Sequence, residues 1–284
     1  MKKVSSCIFS SIVFLVCFYS NIFAQSNFKC GTEVPPAFLN KDRQHVVAAQ
    51  SISNNIAKCL HKTVSVFVHV VLDSSGKSNI LMVDLDSSFA NLNRLFAPIC
   101  LSFKMCKFDS IPAWKYDTFN KPLEEKEVLT LYYTPKVVNW YLVQNIQVPA
   151  GVNGYAFFPG GVDAVFLQKQ ALKDKKTIPH EMGHFFGLYH TFDPSSGSEL
   201  VNGSNCGSSG DFVCDTEADP YPVGSVNSQC QYQGGAKDSN GDYYTPPVDN
   251  IMTYWSGTMC SCRFTIQQYN RMINQYLTAR NYLW

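Results

Sequence analysis

The sequence predicts an α+β domain, and three observations predict it. β-branched, apolar runs interleaved with helical periodicity occupy residues 61–168. A histidine-rich helical segment follows, and a Gly/Ser/Asp/Asn/Pro-rich stretch at 193–250 then leads into one closing amphipathic helix. This order suits a sheet backed by helices above a largely irregular part. The 284 residues admit one large domain, and 45% hydrophobic against 16% charged residues calls for a packed core rather than disorder. The net charge of +1 includes Lys2 and Lys3 at the extreme N-terminus, so the body is near neutral. That balance argues against nucleic acid or an anionic membrane as partner.

Each element follows from local pattern. Lys41 to Leu60 carries a helical period, with Val46, Val47, Ile52, Ile56 and Leu60 near one face. Thr63 to Leu72 is apolar on both sides and reads as a buried strand. Ser74-Ser75-Gly76 is a turn. Asp86 to Ile99 is a helix capped by Asp86, Ser87 or Ser88 and limited by Pro98. Leu101 to Phe108, Glu127 to Tyr133, Gly154 to Phe158 and Asp163 to Gln168 read as strands. A helix starts near Thr177, a possible cap, because Pro179 is tolerated only in a first turn. Thr265 to Leu277 is the closing helix.

The N-terminus reads as a secretory signal peptide over residues 1–24, with Lys2-Lys3, an apolar run from Cys7 to Tyr19, and a cleavage site at Ile22-Phe23-Ala24. The run is short for a span of about 20 residues, so no membrane contact is expected after its removal. Nine cysteines remain in the exported chain, an odd number in an oxidising compartment.

The chemistry is concentrated in His180-Glu181-Met182-Gly183-His184-Phe185-Phe186-Gly187-Leu188-Tyr189-His190. His180 and His184 lie one turn apart on the same helix face. Gly187 can turn left-handed, end the helix and let the chain deliver His190 as a third ligand. Three neutral imidazoles suit zinc with an open fourth position, and Glu181 beside the first ligand suits a general base. Met252, in Asn250-Ile251-Met252-Thr253-Tyr254, reads as the residue beneath this site. The chain is thus expected to be a secreted zinc endopeptidase acting on proteins or peptides. The alternative from another class is a secreted binding or adhesion module with structural zinc, for which Glu181 would serve no purpose.

HEMGHFFGLYHTF at 180–192, GDFVCDT at 210–216, DNIMTYW at 249–255 and GYAFFPGGVDAVFL at 154–167 together resemble the pappalysin family of metzincin metallopeptidases. The resemblance implies a split catalytic domain over 61–284. A twisted mixed sheet, a backing helix and the active helix lie above the cleft. An irregular, disulfide-stapled lower half with the C-terminal helix lies below. It implies that substrate pairs along an edge strand near Gly154, Tyr155 and Ala156. It also implies that Tyr254 stabilises the oxyanion and that calcium is bound below, for which Asp211, Asp215, Thr216 and Glu217 offer oxygen ligands. Cys30 in Lys29-Cys30-Gly31-Thr32 resembles the zinc-blocking cysteine of related proenzymes. On that basis 25–60 is a pro-segment, and the other eight cysteines allow four disulfides; a plain bridge, such as Cys30 with Cys59, is the alternative. Relatives favour a basic residue just after the cleaved bond through an acidic pocket residue. Trp255 to Cys262 contains no Asp or Glu, so that preference does not carry over unless an acid arrives from elsewhere, such as Asp249.

Overall fold

A computed structural model describes residues 28–41, 55–255 and 260–284. The signal peptide reading and most of the 41–60 helix lie outside these residues. Within them, 36–41 is helical and 56–61 is irregular, so the helical pattern does not continue to Leu60.

The main sheet is built from β1 (Lys62–Val71), β2 (Leu101–Ile111), β4 (Val138–Val143), β6 (Gly154–Ala156) and β7 (Ala164–Gln168), in the order β2-β1-β4-β7-β6. All neighbours are parallel except β6, which runs antiparallel to β7 at the edge. β3 (Thr118–Asn120) and β5 (Asn145–Val148) form a separate parallel pair, and β8 (Ser225–Val226) and β9 (Tyr232–Gln233) a small hairpin-like pair below. Alternation along β4 divides the core in two. Val138, Trp140 and Leu142 join one cluster with the helices, whereas Tyr141 and Val143 join a second cluster on the other face.

The helices are α1 (Met82–Phe96), α2 (Lys121–Tyr132), α3 (Thr177–Phe185) and α4 (Ile266–Ala279). α1 lays Leu85, Phe89, Leu92, Leu95 and Phe96 into the first cluster. It starts earlier than expected: the Ser88 hydroxyl donates to Leu85 O inside the helix instead of capping it. Glu127 to Tyr132 belongs to α2, not to a strand, and Tyr133 caps its end. Pro122 stands in its first turn, and Glu124 accepts the Asn120 N–H at 2.7 Å, two helix-start features upstream of the misleading apolar run. β4 is a strand that the pattern reading missed. Its buried Asn139 interrupts the apolar run, and its amide donates to the carbonyls of Thr134 (2.8 Å) and Asp163 (3.0 Å).

Below the sheet, 186–265 is mostly irregular. It is stapled by Cys206–Cys214 and Cys230–Cys260, while Cys59–Cys100 ties the approach to β1 to the α1–β2 junction. Three bridges form among the described residues, not four. Cys106 and Cys262 are exposed and unbridged, and Cys59 is taken, so Cys30 does not pair with it. α4 begins with a capping box between Thr265 and Gln268 and packs Tyr269, Met272, Ile273 and Tyr276 into the first cluster. Its last turn leads to Arg280, which is fully buried. Arg280 is paired with Asp163 and donates to the carbonyls of Phe185 (2.9 Å), Phe157 (2.9 Å) and Phe158 (3.1 Å). One guanidinium thus holds the C-terminal helix, the end of α3 and the turn before β7 together.

Candidate active site

α3 starts where the Asp174 carboxylate collects three donors: Lys176 N–H at 2.8 Å, Thr177 N–H at 2.6 Å and the Thr177 hydroxyl. Thr177 is therefore the first helical residue and not its cap. The helix stops at Gly187, whose φ of +83° is open to glycine without strain. The chain then reverses, and His190 returns to the helix face.

The three imidazoles meet at their Nε2 atoms. His184 Nε2 lies 3.1 Å from that of His180 and 3.1 Å from that of His190. His180 Nδ1 faces Ile251 O at 2.8 Å, and His184 Nδ1 faces Leu188 O at 2.8 Å. A neutral ring that donates from Nδ1 carries only a lone pair on Nε2. Burial lowers the pKa of all three, to about 4 for His184, so the neutral rings are favoured. Lone pairs converging in a buried site repel unless a cation lies among them. The donor set therefore fits zinc, with both tautomers set by backbone carbonyls.

Met252 lies beneath the helix, fully buried. A Cβ at Gly183 would come within 2.6 Å of its sulfur, so glycine is required there for the close approach. The same turn fixes the ligands. Asn250 Oδ1 accepts the Met252 N–H at 2.8 Å, the Asn250 amide donates to Gln268 of the α4 capping box at 2.9 Å, and Ile251 O holds His180. Asp219 is a second anchor. It accepts from Thr191 Oγ1 (2.6 Å), Thr253 Oγ1 (2.9 Å), Tyr221 N–H (3.1 Å) and the Trp255 indole, joining the loop after His190 to the turn around Met252.

Glu181 faces the histidine cluster from α3. Burial pushes its carboxyl up to about 8, and its Oε2 accepts from the Thr32 hydroxyl at 2.9 Å and the Cys30 thiol at 3.3 Å. Cys30 belongs to the same group: its sulfur and the histidine ligand nitrogens all lie within 4.8 Å of one another. Burial, then the Glu181 charge, raises the thiol pKa in the absence of a cation.

The 28–32 segment lies along β6. Gly31 N–H donates to Gly154 O at 2.9 Å, Asn153 N–H to Lys29 O at 2.8 Å, and Ala156 N–H to the Thr32 hydroxyl at 2.8 Å. The bridge between Cys30 and Gly154 is parallel. Gly154, Tyr155 and Ala156 thus form the edge next to the site, and a Cβ at Gly154 would stand 3.0 Å from Phe166 O and Leu167 and 3.2 Å from Glu181, a tight fit. Tyr254 accepts the Cys30 N–H at 2.8 Å and donates to Cys30 O at 3.3 Å. Phe28 packs edge-on against His180 (4.9 Å between ring centres) and Tyr254 (5.2 Å).

Sequence reasoning named Cys30, Gly154, Tyr155, Ala156, His180, Glu181, His184, His190, Met252 and Tyr254, and the fold brings them into one region. It assigns no role to Thr32, Lys176, Asp219, Asn250 or Gln268. The calcium candidates divide between an internal turn and a pocket. Asp211 accepts Val213 N–H and the Thr216 hydroxyl within its own turn, at 3.0 Å each, and Glu217 lies 3.9 Å from Arg263. Asp215, Thr216 and Glu217 instead line a pocket with Glu199, which the sequence reading had not selected.

A sheet with an active helix under its edge strand, and three histidines converging beside a buried glutamate, define a metallopeptidase class of site. The peptidase M43 family model, described as "Pregnancy-associated plasma protein-A", matches residues 162–277. Proteins named extracellular metalloprotease from Verticillium alfalfae and Arthroderma gypseum are each 29% identical, covering 90% and 86% of this chain and 92% and 82% of their own length. One from Colletotrichum graminicola is 27% identical, covering 89% of this chain and 91% of its own. A crystal structure of metalloproteinase-II from Bacteroides fragilis aligns with a TM-score of 0.38 at 12% identity, covering 82% of this chain and 60% of that one. The chain is a metalloendopeptidase, and its residues 162–277 are similar to the pappalysin family.

Proposed function

We propose that the protein is a secreted zinc endopeptidase made as a latent precursor, with zinc held by His180, His184 and His190 and Glu181 as general base. The convergence of three Nε2 atoms beside the Glu181 carboxylate carries this reading. When bound, zinc supplies an acidic water and a Lewis-acidic centre for the substrate carbonyl. The chain's own groups do the rest. Glu181 takes a proton from the attacking water and passes it to the leaving amine. Tyr254, freed from Cys30, donates its hydroxyl to the oxygen that gains charge. The β6 edge at Gly154, Tyr155 and Ala156, which 28–32 covers here, pairs with an extended substrate.

Latency follows from the same contacts. Cys30 would serve as a fourth ligand to the ion, and residues 25–60 are the pro-segment in this reading, preceded by a signal peptide at 1–24. Secretion is supported by the names of the relatives; among the described residues no helix is long and apolar enough to cross a membrane. Calcium in the lower half rests on the family resemblance, with Glu199 Oε2 and Asp215 Oδ1 as buried oxygens without hydrogen-bond partners in one pocket region.

The decisive comparison is wild type against Glu181→Gln on quenched fluorescent peptides, with bound zinc measured by atomic emission. The expected result is a loss of about 10²- to 10⁴-fold in turnover with zinc retained. A Glu181→Gln protein keeping most of its activity would remove Glu181 from the mechanism.

A further inference from the structure

Phe28 and Cys30 are two apart in an extended segment, so their side chains share a face. With Cys30 at the histidine cluster, Phe28 marks the neighbouring recess along the cleft. Phe28 is only 3% exposed, enclosed by His180, Tyr254 and a third group, Lys176. Lys176 is fully buried at the start of α3, and its Nζ has no hydrogen-bond partner. It stands 4.8 Å from the centre of the Phe28 ring. Burial lowers the Lys176 pKa to about 7 against the opposing charges of Asp174 and Asp219, so at or below that pH an ammonium group faces the ring and is attracted by it.

Among the described residues, the carboxylates acting on Lys176 are Asp174 and Asp219, and both are already engaged. The Asp219 oxygens already receive four donors. Asp174 is occupied by the backbone and hydroxyl of Thr177 and the N–H of Lys176. Asp249, the acid that might have arrived from elsewhere, is held by Arg263 at 2.7 Å.

We propose that the recess filled by Phe28 and closed by Lys176 is the specificity pocket for the substrate residue just after the cleaved bond, and that it selects Phe or Tyr and rejects Arg and Lys. This rests on the peptidase reading above. The segment 28–32 runs parallel to β6. A substrate using the stronger antiparallel ladder runs the other way, which puts its carboxyl-side residue in this recess. Phe28 is then a built-in mimic of the preferred side chain.

The test uses the full chain with a protease site inserted between Thr32 and Cys59 and then cut, which sheds the segment carrying Phe28, Cys30 and Thr32, empties the recess and releases the centre. Quenched peptides differ only at the residue after the intended cleavage point (Phe, Tyr, Ala or Arg), and products are located by mass spectrometry. The expected kcat/KM for Phe and Tyr exceeds that for Arg by about tenfold or more, the scale of a buried cation–π contact plus its loss. Adding Lys176→Met should narrow the Phe-to-Arg ratio about fivefold or more. Lys176→Arg, which keeps the cation, should preserve it and covers the case in which the methionine variant does not fold. Equal or faster cleavage before Arg, or cleavage on the other side of the aromatic residue, would overturn the pocket while leaving the peptidase intact. A folded, zinc-loaded protein that cleaves none of the peptides would overturn both.

Discussion

The Thr32 hydroxyl donates to Glu181 Oε2 at 2.9 Å and at the same time accepts the Ala156 N–H at 2.8 Å. One side chain of the N-terminal segment therefore occupies the base and a pairing group of the edge strand together. Thr32→Val keeps the shape and removes both bonds. A hydrogen bond to a charged group contributes about 1.5–3 kcal/mol, so the unprocessed chain should gain about tenfold or more in basal turnover. Assay of the uncut protein beside Cys30→Ala checks this. An unchanged Thr32→Val background would assign latency to Cys30 alone.

Tyr254 exchanges two hydrogen bonds with the Cys30 backbone in the latent chain. Once the segment leaves, its hydroxyl is available to a substrate oxygen. Tyr254→Phe should lower kcat about 10- to 100-fold and leave KM within about twofold, as loss of one transition-state donor does. A rise in KM alone would make the tyrosine a binding group.

Glu199 is buried, and burial, followed by the Asp211, Asp219 and Glu217 charges, pushes its carboxyl up to about 9. Between an unfolded value of about 4.3 and this folded value the native state holds a proton that the unfolded chain has lost. Its contribution to stability therefore falls as pH rises through that window. Without calcium, Glu199→Gln should raise Tm by about 2–5 °C at pH 8 and by less at pH 5. Millimolar calcium should raise the wild-type Tm and not that of the variant. Equal gains at both pH values would contradict the buried-carboxyl account, and a calcium response in the variant would remove Glu199 from the ion's site.

Asp163 is the only carboxylate paired with the buried Arg280 among the described residues, and Tyr282 donates to it at 2.9 Å. Asp163→Ala leaves an uncompensated guanidinium in the core, a loss of about 3–5 kcal/mol. Urea unfolding should show a lower midpoint with an unchanged slope. A midpoint within error of wild type would mean that the three carbonyls suffice for Arg280.

The histidine site was legible because it is local. Spacing of i, i+4 on one helix and one left-handed glycine are written into eleven consecutive residues. Met252 and the edge strand at Gly154 were legible through motif and resemblance. The supports were not: Asp219 collects donors from positions 191, 221, 253 and 255, and Gln268 reaches Asn250 from another helix, relations that exist only after folding. The same holds for the fold. Val-rich β1 announced itself, whereas β4 hid behind Asn139, whose amide is satisfied by carbonyls at 134 and 163. The apolar run at 127–133 was read as a strand, yet only Val128 of α2 is buried. Cysteine parity agreed with a free Cys30, but parity could not show that Cys106 and Cys262 also stay unbridged.

Because Cys59 is bridged to Cys100, maturation at the expected boundary, between residues 60 and 61, would cut the chain without letting it go. The severed peptide would remain leashed to the catalytic domain, with Cys30 and Thr32 still at a local concentration on the order of millimolar above the site. Only a cut between Thr32 and Cys59 sheds the inhibitor, and it leaves the bridge as a permanent part of the mature enzyme's amino-terminal end.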